Sequence, residues 1–151
     1  MSGICAFFGH RDTVITTQLE EKLIATIREL IAQGIDEFWC CEQGTFDWLC
    51  HYVLLKLAKE FCFIRLCLVC PNNPNKYSKL RQDSILTFYD EMIYPAEIAN
   101  GPARFGILRR NRYVAKNADI IVCYVEHLSG GAYQAVQYAK KFQTKIINLA
   151  E

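Results

Sequence analysis

Short apolar runs alternate with stretches of helical periodicity along the whole chain, and this alternation constrains the fold more than any other feature. Such a pattern is typical of βαβ units and a parallel sheet. The runs are apolar on both faces, as expected for strands that helices cover on both sides. The sequence therefore predicts an α/β protein with a three-layer, Rossmann-like, doubly wound and mainly parallel sheet. Its predicted strands are Ile4–Phe8, Glu37–Cys41, Ile64–Cys70, a strand near Glu91–Tyr94, Ile120–Val125 and Lys145–Leu149.

Helices are predicted between these runs from end signals and apolar spacing. Thr17-x-x-Glu20 has the form of a capping box, and the apolar residues from Leu19 to Ile31 follow at helical intervals until Gly34 stops the helix. In the region of residues 76–104 we expect a short helix, a strand and then a loop through Gly101-Pro102. The other predicted helices cover about Thr45–Glu60, Phe105–Asn117 and Ala132–Phe142.

The bulk properties are those of a folded protein with a sizeable core. The 151 residues fit one domain, 1–151, and 52% of them are apolar. The N-terminal sequence lacks the pattern of a signal peptide, and no apolar run approaches the roughly 20 residues of a membrane span. We therefore expect a cytoplasmic protein without a membrane partner, in which most of the eight cysteines are reduced and buried.

Glycine or short polar residues follow nearly every predicted strand. The carboxyl ends of parallel strands are where open α/β sheets bind ligands, and a core has no need of this pattern. The strand-end residues are Gly9-His10-Arg11, Glu42-Gln43-Gly44-Thr45-Phe46-Asp47, Pro71-Asn72 and Ser129-Gly130-Gly131.

The pair Gly130-Gly131 opens a predicted helix that continues through Ala132 and Tyr133. Two glycines let a ligand approach the backbone, and the first helical N–H groups present the positive end of the helix dipole to an anion. A plain strand-to-helix turn that needs positive φ is the alternative interpretation. Tyr133, just past the glycines, can supply an aromatic face for a base.

The segment from Arg104 to Tyr113 is the concentrated basic patch of the sequence. Arg110 or Arg112 can clamp a phosphate with its planar guanidinium, although a solvated helix face is the usual role of such a patch. Over the whole chain Lys and Arg (17) nearly balance Asp and Glu (16), which argues against a dedicated duplex-DNA binder. A nucleic-acid partner is therefore less expected than a small anion.

The polar residues at the first two strand ends each have two interpretations. His10 is a candidate general acid–base group, or it only bonds neighbouring loops. Asp47 caps a helix or contacts the ligand, whereas Glu42, at a strand end, is expected to face the cleft. Cys67-x-x-Cys70 is not predicted to bind metal, because strand spacing sends the two thiols to opposite faces. No metal site is predicted.

Several short motifs, in their order along the chain, resemble the SLOG superfamily of Rossmann-like proteins. This superfamily includes the Lonely Guy phosphoribohydrolases and the DprA/Smf proteins, and the branch most similar to this chain is that of small stand-alone bacterial proteins resembling YpsA and YoqJ. The motifs are Phe8-Gly9-His10-Arg11, Gly44-x-Phe46-Asp47, Arg110-Asn111-Arg112-Tyr113, Ala118-Asp119-Ile120, Gly130-Gly131-Ala132 and Tyr138-Ala139.

The resemblance implies a nucleotide or nucleotide-sugar ligand, with phosphate contacts at Gly130 and Gly131 and with Arg110 and Asn111 beside them. In Lonely Guy enzymes a glutamate takes part in N-glycosidic bond cleavage, and Gln137 stands at that position here, so whether the chain is an enzyme stays open. No cofactor besides the nucleotide-like ligand is expected.

Three functions follow as hypotheses. The first is a sensor or regulatory module that binds a nucleotide without turnover. The second is a nucleoside-monophosphate hydrolase in which Glu42 or His10 replaces the missing carboxylate. The third is an accessory to single-stranded DNA processing that resembles DprA. Self-association into a homodimer is compatible with all three.

Overall fold

A computed structural model describes residues 2–151, and six strands within them form one all-parallel sheet in the order β4-β3-β2-β1-β5-β6. The predicted doubly wound three-layer fold is confirmed, with a sheet that is parallel throughout rather than mainly so. The strands are β1 (Ile4–Gly9), β2 (Glu37–Cys40), β3 (Arg65–Val69), β4 (Glu91–Ile93), β5 (Ile120–Tyr124) and β6 (Lys145–Asn148).

Six α-helices connect the strands: α1 (Thr17–Ala32), α2 (Thr45–Glu60), α3 (Lys79–Phe88), α4 (Ala96–Ala99), α5 (Gly106–Asn117) and α6 (Gly131–Lys140). Short 3-10 turns cover Pro74–Lys76 and Ala103–Phe105. Among the helices of residues 2–151, none is long and apolar enough to cross a membrane.

Two local predictions need correction. The N-cap of α1 is Thr16, not Thr17, because the Thr16 hydroxyl accepts a hydrogen bond from the Leu19 amide at 3.1 Å. The segment before Gly101 was expected to be a loop, but it contains the one-turn helix α4, which Pro95 precedes as its N-cap. A turn of this length has too few residues to show helical spacing in the sequence.

The two faces of the sheet carry separate cores. In β1 the side chains alternate, so that Cys5 and Phe7 pack with α1, α2 and α3, while Ala6 and Phe8 pack with α4, α5 and α6. Cys67 and Cys70 likewise belong to opposite cores, as their spacing predicted. This double coverage explains why the strands read as apolar on both faces.

A topological switch point lies between β1 and β5. From β1 the chain moves outward to β2, β3 and β4, and then returns through α4 and α5 to place β5 on the other side of β1. The helices that follow β1 and β5 therefore lie on opposite faces of the sheet. Their diverging connections open a crevice at the carboxyl ends of these two strands.

Candidate functional site

A cleft of about 350 Å³ occupies this crevice. Its walls combine residues from the ends of β1, β2 and β5 with residues of α5, all of them distant in sequence. The polar and glycine residues that line it are Gly9, His10, Arg11, Asp12, Gln43, Asp47, Arg110, Asn111, His127, Ser129, Gly130 and Gly131, with Ala132 beside them. The structure thus brings together most of the strand-end residues that the sequence analysis identified.

The N-terminus of α6 opens into the cleft without a side-chain cap. Gly130 is the N-cap, and the first helical bond runs from the Gln134 amide to the Gly130 carbonyl at 3.0 Å. Within residues 2–151, the amides of Gly131, Ala132 and Tyr133 donate to no protein acceptor. These free N–H groups and the helix dipole together favour an anion at this position.

The glycines at the strand ends fall into two groups. A Cβ atom on Gly9 would lie 2.4 Å from the Phe46 ring, and one on Gly44 would lie 2.5 Å from the Cα of Arg11, so both serve close packing. At Gly130, whose φ is +93°, a Cβ would meet nothing within 4 Å, and at Gly131 it would meet only the Asn111 amide nitrogen at 4.0 Å. Open space therefore lies above Gly130 and Gly131. Phe46, which was expected to contact a ligand, is instead buried and packs against Gly9.

Arg110 is a buried cation in the wall of the cleft. Only 1% of the residue is exposed, and its guanidinium donates to the Cys41 carbonyl at 3.2 Å, to Gln43 Oε1 at 2.9 Å and to Asn111 Oδ1 at 3.1 Å. All three acceptors are neutral. Within residues 2–151 no carboxylate lies within 4.0 Å of this guanidinium. A buried charge without a direct ion pair is costly, so the site favours binding of an anion.

Asp47 is a buried carboxylate on another wall of the same cleft. Its Oδ2 accepts from the Gln43 amide at 2.7 Å, whereas Oδ1 is buried without a protein partner. Burial raises the pKa of Asp47 to about 6, against the opposing effects of the Gln43 bond and of Arg110. Asp47 therefore changes its charge near pH 6, and its bond to the Gln43 backbone amide ties the loop before α2 to the first turn of that helix.

His10 holds the loop that leads to the paired glycines. Its Nε2 accepts hydrogen bonds from the amides of Glu126 and His127, each at 3.0 Å, and its ring lies 4.6 Å from that of His127. Burial, and then the nearby His127, lower the pKa of His10. Because Nε2 must be unprotonated to accept these bonds, His10 acts as a loop clip here, which was the second of its two sequence interpretations.

Glu42 does not face the cleft, contrary to expectation. Its backbone has φ of +55°, and its Oε2 accepts a 2.6 Å bond from the Tyr89 hydroxyl on the far side of the β2 end. At this φ the side chain leaves the strand end in a direction that strand alternation does not predict.

The arginines of the basic patch do not converge in the folded protein. Arg112 lies outside the cleft lining, with its guanidinium 5.4 Å from the centre of the Tyr138 ring, and Arg109 donates to the carbonyls of Ile98 and Pro102. Helical geometry explains this outcome, since consecutive residues point about 100° apart. Of the patch, only Arg110 and its neighbour Asn111 reach the cleft with polar groups.

Three residues of the site were given no role on the basis of the sequence, although Gln43 was named there as a strand-end residue. Gln43 orients Arg110, His127 packs on His10, and Asp12 lines the mouth of the cleft. All three lie within strand-end loops that the analysis did identify. Loop position was therefore an available signal, but it did not reveal which side chain of a loop turns inward.

Three further depressions adjoin the cleft, either directly or through one another. One, between α5 and α6, shares Ile107, Asn111 and Gly131 with it and contains Tyr133 and the exposed Gln137. A second, at the ends of β2 and β3, shares Cys41, Gln43 and Arg110. The third, between α2 and α3, adjoins the second at Glu42 and Arg81. Each of these depressions shares lining residues with the cleft or with its neighbour, and we call the four together the groove.

Comparison with known proteins supports the fold. No protein-family model matches the sequence, and no curated protein matches it either. A solved structure of DNA processing protein A from Helicobacter pylori, described for its single-stranded DNA binding mode, superposes with a TM-score of 0.65 at 17% identity. The match covers 95% of this chain and 63% of that chain, so this chain spans less than two thirds of its neighbour's length. The fold is therefore a DprA-like Rossmann fold.

Proposed function

We propose that the cleft at the switch point binds the phosphate group of a nucleotide or nucleotide-derived ligand. The observation that carries this proposal is the buried guanidinium of Arg110, which has neutral partners only and lines the same cleft as the free amides of α6. Planar guanidinium groups and helix N-termini are both preferred partners of phosphate. A phosphate between them compensates the buried charge of Arg110.

The size and composition of the cleft fit a small ligand. A volume of about 350 Å³ lies within the range of small-molecule sites, and the lining combines apolar surface with a few convergent polar groups. Asp47 adds an acceptor near the cation, so a ligand that carries hydroxyl or amino donors beside its phosphate satisfies both walls. A sugar phosphate within a nucleotide has this arrangement.

Binding without turnover is the better supported role. The two residues proposed for catalysis are engaged elsewhere, because His10 Nε2 already accepts two amides and Glu42 bonds Tyr89 outside the cleft. Gln137 offers an amide where the Lonely Guy pattern has a carboxylate. We therefore propose a sensor or regulatory module, and we propose membership of the stand-alone SLOG branch on the motifs quoted above.

Thermal denaturation with a panel of nucleotides tests the proposal. A ligand at about 100 times its Kd adds roughly 2.7 kcal/mol to the free energy of unfolding. We expect one or more phosphorylated members to raise the melting temperature, and their unphosphorylated nucleosides to have little effect. Arg110→Lys is expected to remove this stabilisation, whereas Arg112→Lys, on the same helix but outside the cleft, retains it. No shift with any member at millimolar concentration contradicts the proposal.

Single-stranded DNA is the second candidate ligand, and two observations favour it. The solved neighbour is described for binding single-stranded DNA, and the groove continues well beyond the space that one nucleotide fills. Arg11, Arg81, Arg112 and Lys141 line or flank this groove and supply local positive charge despite the near-neutral chain. Binding of an oligonucleotide that weakens steeply with salt, with a mononucleotide binding far less tightly, supports this candidate.

A further inference from the structure

A second pocket lies between α2 and α3, at the far end of the groove from α6. We call it the α2–α3 pocket; it has a volume of about 550 Å³. Its lining includes Glu42, Trp48, His51, Arg81, Phe88 and Tyr89. Neither the sequence analysis nor the proposed phosphate site assigns it a role.

The walls of this pocket are aromatic and unusually exposed. Trp48 is 54% exposed and Phe88 is 49% exposed, and both lie at the pocket surface. Beneath them, the rings of His51 and Tyr89 stack with centroids 4.4 Å apart. Large aromatic side chains left open beside a buried aromatic pair provide planar surface for a ring ligand.

A carboxylate without an ion pair and a buried nitrogen without a hydrogen-bond partner accompany these rings. Glu42 is held at a φ of +55°, and its Oε2 accepts from Tyr89, while within residues 2–151 no Lys, Arg or His forms an ion pair with it. His51 is 6% exposed, and its Nδ1 is buried without a partner. A backbone conformation that most residues avoid, together with an uncompensated buried nitrogen, is typical of a functional site.

The charge of the pocket selects the part of the ligand that it accepts. The Glu42 carboxylate repels a phosphate but accepts hydrogen bonds from amino groups, and the apolar rings favour an uncharged planar group. Arg81 belongs both to this pocket and to the depression that contains Arg110, so cations lie between the pocket and the phosphate cleft. The arrangement fits a strand whose phosphates follow the arginines and whose base enters the pocket.

We infer that the α2–α3 pocket binds a nucleobase of a single-stranded nucleic acid whose phosphate lies in the Arg110 cleft. The base is one with an exocyclic amino group, such as cytosine, because a carboxylate accepts from such a group and is repelled by the O4 acceptor of thymine. This inference rests on the proposed phosphate site and extends it from a point contact to a path along the sheet edge.

Tryptophan fluorescence tests the inference directly. The chain has two tryptophans, and Trp39 is buried on the opposite face of the sheet against Tyr113, so quenching by a stacked base reports on Trp48. We expect oligocytidine of about eight nucleotides, within the site sizes typical of strand-binding domains, to quench the emission saturably. Inorganic phosphate is expected to stabilise the protein without quenching, and Trp48→Phe to remove most of the signal.

Variants separate this pocket from the phosphate cleft. Trp48→Ala is expected to weaken oligocytidine binding about fivefold or more, from the loss of one stacked base, and to leave stabilisation by inorganic phosphate unchanged. Glu42→Gln, which can still accept from Tyr89, is expected to reduce the preference for oligocytidine over oligothymidine. Lys59→Ala on α2, outside the groove, is the matched control.

The possible failures are distinguishable. Phosphate stabilisation that depends on Arg110, combined with oligonucleotide binding that leaves Trp48 unquenched, overturns this inference and leaves the phosphate site intact. Absence of any phosphate or oligonucleotide binding overturns both. A Trp48 emission that shifts with protein concentration, without any added nucleic acid, would show that this surface mediates self-association. That result overturns the inference as well.

Discussion

The Nη2 of Arg110 donates to the side-chain oxygen of Gln43 at 2.9 Å, so that α5 and the loop after β2 meet beneath the cleft. The backbone amide of Gln43 in turn donates to Asp47 Oδ2. Gln43 therefore links the buried cation to the buried carboxylate. Gln43 therefore sets the orientation of the guanidinium without adding charge to the cleft.

Truncation of Gln43 tests this positioning role. We expect Gln43→Ala to weaken phosphate binding by several-fold while Arg110 keeps its charge, because the guanidinium loses one of its three anchors. The free energy of unfolding is expected to fall by about 1 kcal/mol, the usual net value of one hydrogen bond. Calorimetric titration with inorganic phosphate measures the first effect and chemical denaturation the second. A phosphate affinity equal to that of the wild type would contradict the positioning role of Gln43.

The space above Gly131 predicts an effect on binding without an effect on folding. Gly131→Ala adds a methyl group whose nearest neighbour is Asn111 at 4.0 Å, so we expect a free energy of unfolding close to that of the wild type. The methyl group occupies the space that the ligand needs, and phosphate binding is expected to drop about tenfold or more. Gly9→Ala is the contrasting variant, since its methyl group would collide with Phe46 at 2.4 Å and destabilise the fold. Equal losses of stability in the two variants contradict this division of the glycines.

The raised pKa of Asp47 predicts that the free energy of unfolding increases as the pH is lowered. Burial raises its pKa to about 6 from the ordinary value of 3.8, so its contribution to the free energy of unfolding is fully present below pH 3.8 and is lost as the pH rises through 6. Asp47→Asn removes this dependence while keeping an acceptor for the Gln43 amide. We expect the variant to be more stable than the wild type by about 1–3 kcal/mol at pH 7.5, in proportion to the size of the pKa shift.

Denaturation of both proteins from pH 4 to 8 provides the measurement for Asp47. The difference between them is expected to shrink towards zero at the acid end of this range. A difference that is constant with pH shows that Asp47 is not the titrating group.

The lowered pKa of His10 predicts the opposite pH dependence, a free energy of unfolding that decreases as the pH is lowered. Burial and His127 lower its pKa below 6.5, so the stability that its loop clip provides is present above pH 6.5 and is lost as the pH falls through the lowered value. The titratable groups around the imidazole are His127, Asp12 and Glu126, and the two carboxylates oppose the lowering of the His10 pKa only partly.

Comparison with His10→Ala isolates this contribution from that of Asp47. We expect the wild type to exceed the variant in free energy of unfolding at pH 7.5, and this excess to diminish towards pH 5. Urea denaturation at several pH values measures it. An excess that grows on acidification shows that His10 binds its proton more tightly in the folded protein, and contradicts the clip.

Sequence patterns predicted the layers, the strand ends and the meeting of Arg110 with Gly130 and Gly131. The layers and strand ends follow from apolar alternation and from the rule that parallel strands present their carboxyl ends at one edge. The meeting of Arg110 with the paired glycines was implied by the resemblance to the SLOG superfamily. The direction of individual side chains did not follow. Glu42 turns away from the cleft because its φ is +55°, and a glutamate in the sequence does not indicate this backbone conformation.

Sequence reasoning could not choose between the two interpretations of His10, and it did not predict the packing role of Gly9. His10 accepts from amides that lie more than a hundred residues away in sequence, and Gly9 is needed because Phe46 packs on it. Both depend on how two loops approach each other, which no local pattern reports. A glycine at a strand end therefore predicts a close approach without identifying the partner, which was a ring at Gly9 and open space at Gly130.

We propose that one anion contacts both the α6 amides and Arg110, and nitrogen-15 NMR during titration with inorganic phosphate observes both contacts in one experiment. We expect saturable shifts at the backbone amides of Gly131, Ala132 and Tyr133 together with the Arg110 Nε–H, all with one Kd. Shifts confined to exposed lysines, or saturation of the glycine amides without any response at Arg110, would contradict it.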